Sequence, residues 1–362
     1  MNQDIQNAFI FLVRLGIGHI LSPLPERIDW KAIEDLANKH GLLAVLIDGM
    51  ERLPEEQRPP KALLLEWIGN TLQNYEQRYT LYEKAIGELA GFYNQHDFRM
   101  MLLKGYACGL DWPKPEHRPC GDIDIWLFGQ QKDADKVLAN TNFADKTNIK
   151  IDTSHHHHTV FDWLGFSVEN HYDFDNVHAH KSNKVIEVEF KKLGADDSNF
   201  VELNGEKVYL PSPRLNSLFL LRHMLGHFAA AEINLRQVLD WAFFVEKHTK
   251  EVDWKWLLSE LERYHMKEFF DSINGICVDD LGFDANIFPY IQYSPMLKDK
   301  VLNDIITPEY PASEPSRLFP RLVYKCRRWQ GNAWKQKLCY AESRWCAFWR
   351  GIWAKLLKPA SI

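Results

Sequence analysis

Residues 121–127, GDIDIWL, set two acids two positions apart in a run that is otherwise aliphatic and aromatic. That period belongs to a β-strand, whose successive side chains point to opposite faces. Asp122 and Asp124 therefore converge on one side of a strand that is otherwise buried. Two carboxylates held together repel unless a cation lies between them or one takes up a proton. Oxygen ligands of this kind favour magnesium or manganese, and Gly121 leaves space beside the first acid for a phosphate. An acid-x-acid pair alone is common on exposed strands and loops, so its surroundings decide its meaning.

Those surroundings read as alternating strand and helix. FRMMLLKG (98–105) is a short apolar run stopped by glycine, as in a buried strand. YACGLDW follows as a short helix, KPEHRP as a loop, DIDIWLF as a strand ending at Gly129, and QQKDADKVLANTNF as a polar-faced helix. VFDWLGFSVENHYDF predicts two β segments around a turn at Leu164-Gly165. KVIEVEFKKL and EKVYLP predict further strands, the first from its alternating acids and β-branched residues. The pattern implies an α+β fold around a small mixed sheet with one buried face.

Helices flank that sheet. An Asp29 cap and helical apolar spacing mark DWKAIEDLANKHGLLAVLIDGMERL, and prolines open the long amphipathic run that begins PPKALLLEW. After Pro211 and Pro213 helical patterns return. The resulting divisions are a helical layer at 1–95, a core at 96–210, a helical domain at 211–306 and basic aromatic helices at 317–358, with the Pro-rich TPEYPASEPS between the last two. With 46% hydrophobic and 25% charged residues, disorder is excluded as a class. No apolar run reaches the roughly 18 residues of a transmembrane helix. The first twenty residues form an amphipathic helix and lack the pattern of a signal peptide. Six scattered cysteines without a CxxC pair argue against zinc ribbons and disulfide frameworks, and place the chain in a reducing cytoplasm.

The segment LLKGYACGLDWPKPEHRPCGDIDIWL resembles the uncharacterised nucleotidyltransferase family of bacteria. Members carry a Leu-Lys-Gly strand end, then Arg, then a Gly/Asp-Asp-aliphatic-Asp strand. The resemblance continues through SVENHYDF and LRHMLGHF…LRQVLDW, and covers roughly residues 30–250. It implies the nucleotidyltransferase fold and transfer of NMP from an NTP to a hydroxyl acceptor, with ATP among the candidate donors. A third acid on a neighbouring strand completes the metal site in that fold. Glu169, two residues before His171 as in the family, takes the role, with Glu187 and Glu189 as rivals on one strand face. Two magnesium ions would then bridge Asp122, Asp124 and the phosphates, with Glu169 as the third ligand. Lys104, Gly105, Arg118 and Gly121 would border the nucleotide, the two bases neutralising phosphate charge. Their plainer reading is a turn residue and a salt-bridge partner. In nucleotidyltransferases more broadly a small residue follows the first glycine, whereas here Tyr106 follows Gly105.

Three features stand outside that reading. His155–His158 form a run of four, with His171, His178 and His180 close behind. They read as a polar segment near a site entrance or as a metal ligand set. His223 and His227, four apart on an apolar helix, read as packed core or interface histidines. Arg317–Lys358 holds eleven Lys or Arg against one acid, Glu342; that is +10, which leaves −16 elsewhere for a net charge of −6. Such a tryptophan-rich basic tail packs on its own protein, lies on an anionic membrane surface, or holds single-stranded nucleic acid. The alternative to an enzyme is a non-catalytic binding or regulatory module on the same fold, in a toxin–antitoxin-like pair.

Overall fold

The computed structural model describes residues 3–19, 28–141, 149–155, 157–289 and 291–357. It divides into two units, each assembled from separate stretches of chain: 1–77 with 111–119 and 220–339, and 78–110 with 120–219 and 340–362.

The first unit is helical. Asp29 accepts a hydrogen bond from the Ala32 N–H at 3.1 Å and so caps the helix Trp30–His40. Gly41, in the left-handed region at φ 67°, closes that helix before Leu43–Met50 begins. Pro60 precedes Lys61–Thr71, which runs on through a π-helical turn, Leu72–Glu76, into Gln77–Gln95. Downstream, Asn234 and Gln237 form a reciprocal capping box for Leu235–His248. Asp253 caps Trp254–Arg263 by accepting from the Trp256 N–H. Trp241, Phe243, Phe244, Phe269 and Phe270 fill the core of this unit. Among the described residues no helix is long and apolar enough to cross a membrane.

Among its described residues the second unit holds six strands: β1 Met101–Leu102, β2 Ile123–Trp126, β3 His158–Trp163, β4 Phe166–His171, β5 Phe200–Leu203 and β6 Glu206–Tyr209. Their order across the sheet is β3-β4-β2-β1-β6-β5. β2 pairs in parallel with β4, and β1 with β6; the other pairs are antiparallel. The predicted Leu164-Gly165 turn is present, with both residues at positive φ (49° and 82°) as a tight hairpin demands. Asn204-Gly205 turns β5 into β6 in the same way. One sheet face, carrying Leu102, Ile123, Ile125, Phe161 and Val168, packs on Ile86, Leu89, Tyr93, Ala134 and Leu138 from the helices Gln77–Gln95 and Gln131–Asn140.

One predicted strand is a helix. KVIEVEFKKL lies inside Lys181–Gly194. Its buried positions, Asn183, Ile186, Glu187, Phe190 and Gly194, fall at i, i+3, i+4, i+7 and i+11, one face of a helix, whereas Val185 and Val188 are exposed. Burial of a helical stripe outweighs the β preference of the two valines. Gly194 lets this helix end against Trp126 and Phe174, where an added Cβ would stand 2.9–3.0 Å from their rings.

The basic tail is divided. Glu342, its one acid, accepts from the N–H groups of Lys181 and Ser182 and so caps the helix Lys181–Gly194. His180 stacks on Tyr340 with ring centroids 3.6 Å apart. Beyond them, Trp345, Phe348, Trp349 and Trp353 form an exposed stripe on the helix Arg344–Leu357.

Candidate active site

The turn after β1 positions the first acid. The Leu103 N–H donates to the Asp124 carbonyl at 3.0 Å, keeping the end of β1 alongside β2. Gly105 then takes φ 59°, ψ −106°. A Cβ on it would stand 2.7 Å from the Tyr82 hydroxyl oxygen. Tyr82 donates from that hydroxyl to the Asp122 carbonyl at 2.7 Å. A side chain at 105 would thus break the contact that fixes the backbone of Asp122, and only glycine meets both constraints. Tyr106 turns into the core, stacking on Tyr79 and donating to Glu83 at 2.7 Å. Its bulk is absorbed away from the turn. Around Gly121 an added Cβ would meet nothing within 4 Å, so the space expected beside Asp122 is open.

Register brings the acids together. Asp124 pairs with Glu169, and Trp126 with His171, along the parallel β2/β4 ladder. Ile123, Ile125 and Val168 face the core, so Asp124, Glu169 and His171 share the opposite face. Ligand atoms of these three lie within 4.8 Å of one another. Lys104 Nζ lies 2.8 Å from Asp124 Oδ1, and His171 Nε2 lies 3.1 Å from the same oxygen and 3.4 Å from Glu169 Oε2. The other ring nitrogen of His171 is 3.2 Å from the Asp173 carbonyl.

These charges set one another. Burial alone would neutralise Asp124, but Lys104 and His171 outweigh it and hold the carboxyl far below its usual range. Burial also opposes the charged forms of Lys104 and His171, and the carboxylates overcome it, raising both. Glu169 is kept low mainly by His171, against its own desolvation. Asp122, exposed at the start of β2, goes the other way: partial desolvation, then Glu169 and Asp124, push it up.

A polar contact beneath the sheet holds this register. Asp135, on the helix Gln131–Asn140, accepts from Thr159 at 2.9 Å and from Asn170 at 2.8 Å. Thr159 and Asn170 are a cross-strand pair of β3 and β4, so one buried carboxylate ties together the strands that carry Glu169 and His171. Neither Asp135 nor Tyr82 was singled out by sequence, because each acts through a long-range contact.

The rivals of Glu169 stand elsewhere. Glu187 and Glu189, two apart on a helix, do not share a face. Glu187 is buried and accepts from the Phe174 and Asp175 N–H groups at 3.0 and 3.1 Å, and burial pushes its carboxyl up to about 7. Glu189 lies 3.9 Å from Lys192. Arg118 belongs to the helical unit, where its Nε and Nη2 reach Asp240 at 2.8 and 2.9 Å while Trp112 donates to the same carboxylate. In that unit too, the His223 and His227 rings are 4.5 Å apart, with His227 exposed and not packed in the core.

The histidine run is drawn into the site on one side. His157 and His158, with His171, place ligand atoms within 4.8 Å of one another. Burial drives His157 down to about 2 and His158 to about 4, so both rings are neutral. His155 stacks on His158 at 4.6 Å, and His156 lies outside the described residues.

One comparison with known proteins found a match. The family model described as "Uncharacterised nucleotidyltransferase" matches residues 26–279. The match spans well over half of the chain, and the protein belongs to that family. Comparison with curated proteins and with solved structures found no match.

Proposed function

We propose that the protein is a metal-dependent nucleotidyltransferase that moves NMP from an NTP to a hydroxyl-bearing acceptor. The observation that carries this reading is the pairing of Asp124 with Glu169 on parallel strands, with Asp122 at the start of β2. An all-oxygen set of carboxylates fits magnesium or manganese; desolvation and then the repulsion of Glu169 and Asp124 raise Asp122, and a divalent ion relieves the repulsion. Asp122, Asp124 and Glu169 would hold two such ions, which when bound polarise the phosphates, activate the acceptor hydroxyl and stabilise the leaving pyrophosphate.

In the transfer the acceptor oxygen bonds to the α-phosphorus while the bond from that phosphorus to the bridging β-oxygen breaks. Pyrophosphate leaves with the electron pair. Glu169, held ionised beside His171, takes the acceptor proton. The Lys104 ammonium, already at the acids, turns to a phosphate oxygen as charge develops there. The open side of Gly121 admits the phosphates. In this reading Arg118 serves Asp240 instead of the nucleotide. Six free cysteines fit a reducing, cytoplasmic setting.

The test is incubation with each α-labelled NTP and fractionated cell extract as the acceptor source. Label appearing in an acceptor with stoichiometric pyrophosphate supports transfer. Release of inorganic phosphate without labelled acceptor refutes it. One observation favours a non-catalytic module instead: Lys104 and His171 already meet the charge of Asp124. In that case the acids are a folding element and neither nucleotide nor metal binds.

The tail has its own reading, as an anchor on an anionic membrane surface. Exposed Trp345, Trp349 and Trp353 share a helix with basic residues and no acid, the composition of an in-plane amphipathic helix. Sedimentation with phosphatidylserine vesicles, lost on deleting residues 341–362, supports it. Binding to single-stranded nucleic acid alone overturns it.

A further inference from the structure

We propose that the β3/β4 hairpin carries a second cation site, for a first-row transition-metal ion such as zinc, formed by His157, His158 and His171 with Glu169 as the oxygen ligand. It shares Glu169 with the carboxylate centre above, but its ligands and its preferred metal differ.

The geometry comes from pairing and from a bend. His158 and His171 are directly opposed on the antiparallel ladder, with ring centroids 5.3 Å apart. His157 sits in the bend just ahead of β3, off the alternation of the strand, so adjacent residues can face one point. Its ring lies 4.3 Å from that of His158 and 5.7 Å from that of His171. Glu169 Oε2 lies 3.4 Å from His171 Nε2 and 3.9 Å from His158 Nδ1. Ligands about 2.0–2.1 Å from a tetrahedral zinc stand about 3.3 Å apart. The first separation is close to that value, and the second must shorten by about 0.6 Å.

Two observations separate this group from a solvated histidine run. The Nδ1 atoms of His157 and His158 are buried and, among the described residues, have no hydrogen-bond partner, which is costly for a polar group unless something is to be bound. His171 is also oriented from behind. If its Nδ1–H donates to the Asp173 carbonyl at 3.2 Å, Nε2 is left as the ligand atom, the usual support for a metal-binding imidazole. Three imidazoles and one carboxylate suit zinc or a neighbouring metal and not magnesium. Asp124 keeps Lys104 as its counter-charge when His171 turns to the metal.

The experiment uses the full chain without an affinity tag, stripped by chelator, given zinc and desalted. The wild type should retain one zinc ion per chain, and H157A/H158A should retain almost none. Asp122→Asn should keep the zinc while losing magnesium–nucleotide binding. Failure of the transferase reading therefore leaves zinc retention intact, and failure of the zinc site leaves nucleotide binding intact. Equal retention by wild type and H157A/H158A, or no retention by wild type, overturns the proposal. If H157A/H158A does not fold, cobalt titration of the wild type decides: intense visible bands of a four-coordinate ion support the site, and a weak six-coordinate spectrum refutes it.

Discussion

Replacing Lys104 with methionine removes a cation that the site holds 2.8 Å from Asp124, with 17% and 11% of the two side chains exposed. Removing one partner of a buried pair costs about 3–5 kcal/mol, because the other charge is left uncompensated. Residual exposure of Asp124, and His171 at 3.1 Å, put the expected loss at the lower end, about 3 kcal/mol. For a unit of 150–250 residues that is a fall in Tm of about 6–12 °C. K104M/D124N should recover much of the loss, since removing both members of a pair leaves no orphan charge. Magnesium should stabilise K104M more than wild type, because only in the variant does Asp124 lack its ammonium. The assay is thermal and urea unfolding of the four proteins of the cycle, with and without magnesium. A K104M midpoint indistinguishable from wild type, or equal losses for K104M and K104M/D124N, would refute this account of Lys104.

Glu169→Gln should abolish metal binding at little cost in stability, whereas Glu187→Ala should lose about 1–3 kcal/mol by freeing one buried and one half-buried N–H group and leave metal binding intact. Metal titrations and urea melts of the two variants check this. Asp135→Ala should cost about 2–4 kcal/mol through its two buried hydrogen bonds, and should weaken nucleotide binding by loosening the β3/β4 pair; calorimetry with a non-hydrolysable NTP reads the second effect. The raised pKa of His171 contributes stability that is complete below the unfolded value of about 6.5 and is lost as pH rises through the folded value. The depressed pKa of Asp124 acts at the other end, giving stability that is lost as pH falls below about 3.9. His171→Gln should therefore flatten the decline above pH 6.5 expected in melts of the wild type.

Much of the site was legible because its signals are local. Asp122 and Asp124 declare their strand by spacing, and Lys104-Gly105 declares the turn before it. Leu164-Gly165 marks the hairpin that ends in Glu169 and His171. Misreading Lys181–Gly194 had a physical cause: alternating Val, Ile and Glu has period two in sequence, while Asn183, Ile186, Glu187 and Phe190 have the helical period in burial. Only the packing of that stripe against Phe174, Phe219 and Trp126 decides between the two. Asn204-Gly205, a strong hairpin dipeptide, was the available sign of β5. The tail is mixed: Trp334 packs edge-on against Phe228, whereas Trp345, Trp349 and Trp353 are exposed. No local pattern could have announced the Asp124–Glu169 register, the Tyr82 contact or the Asp135 tie, because each joins residues 24 to 45 positions apart.

Asp122 and Asp124 are expected to form a magnesium-dependent nucleotide site. Its most direct test is calorimetric titration of each NTP with magnesium into wild type and D122A/D124A, alongside folding controls. The account predicts metal-dependent binding of a nucleotide by the wild type and none by the folded double variant. A flat response of folded wild type to all four nucleotides, or equal binding by D122A/D124A, would contradict it.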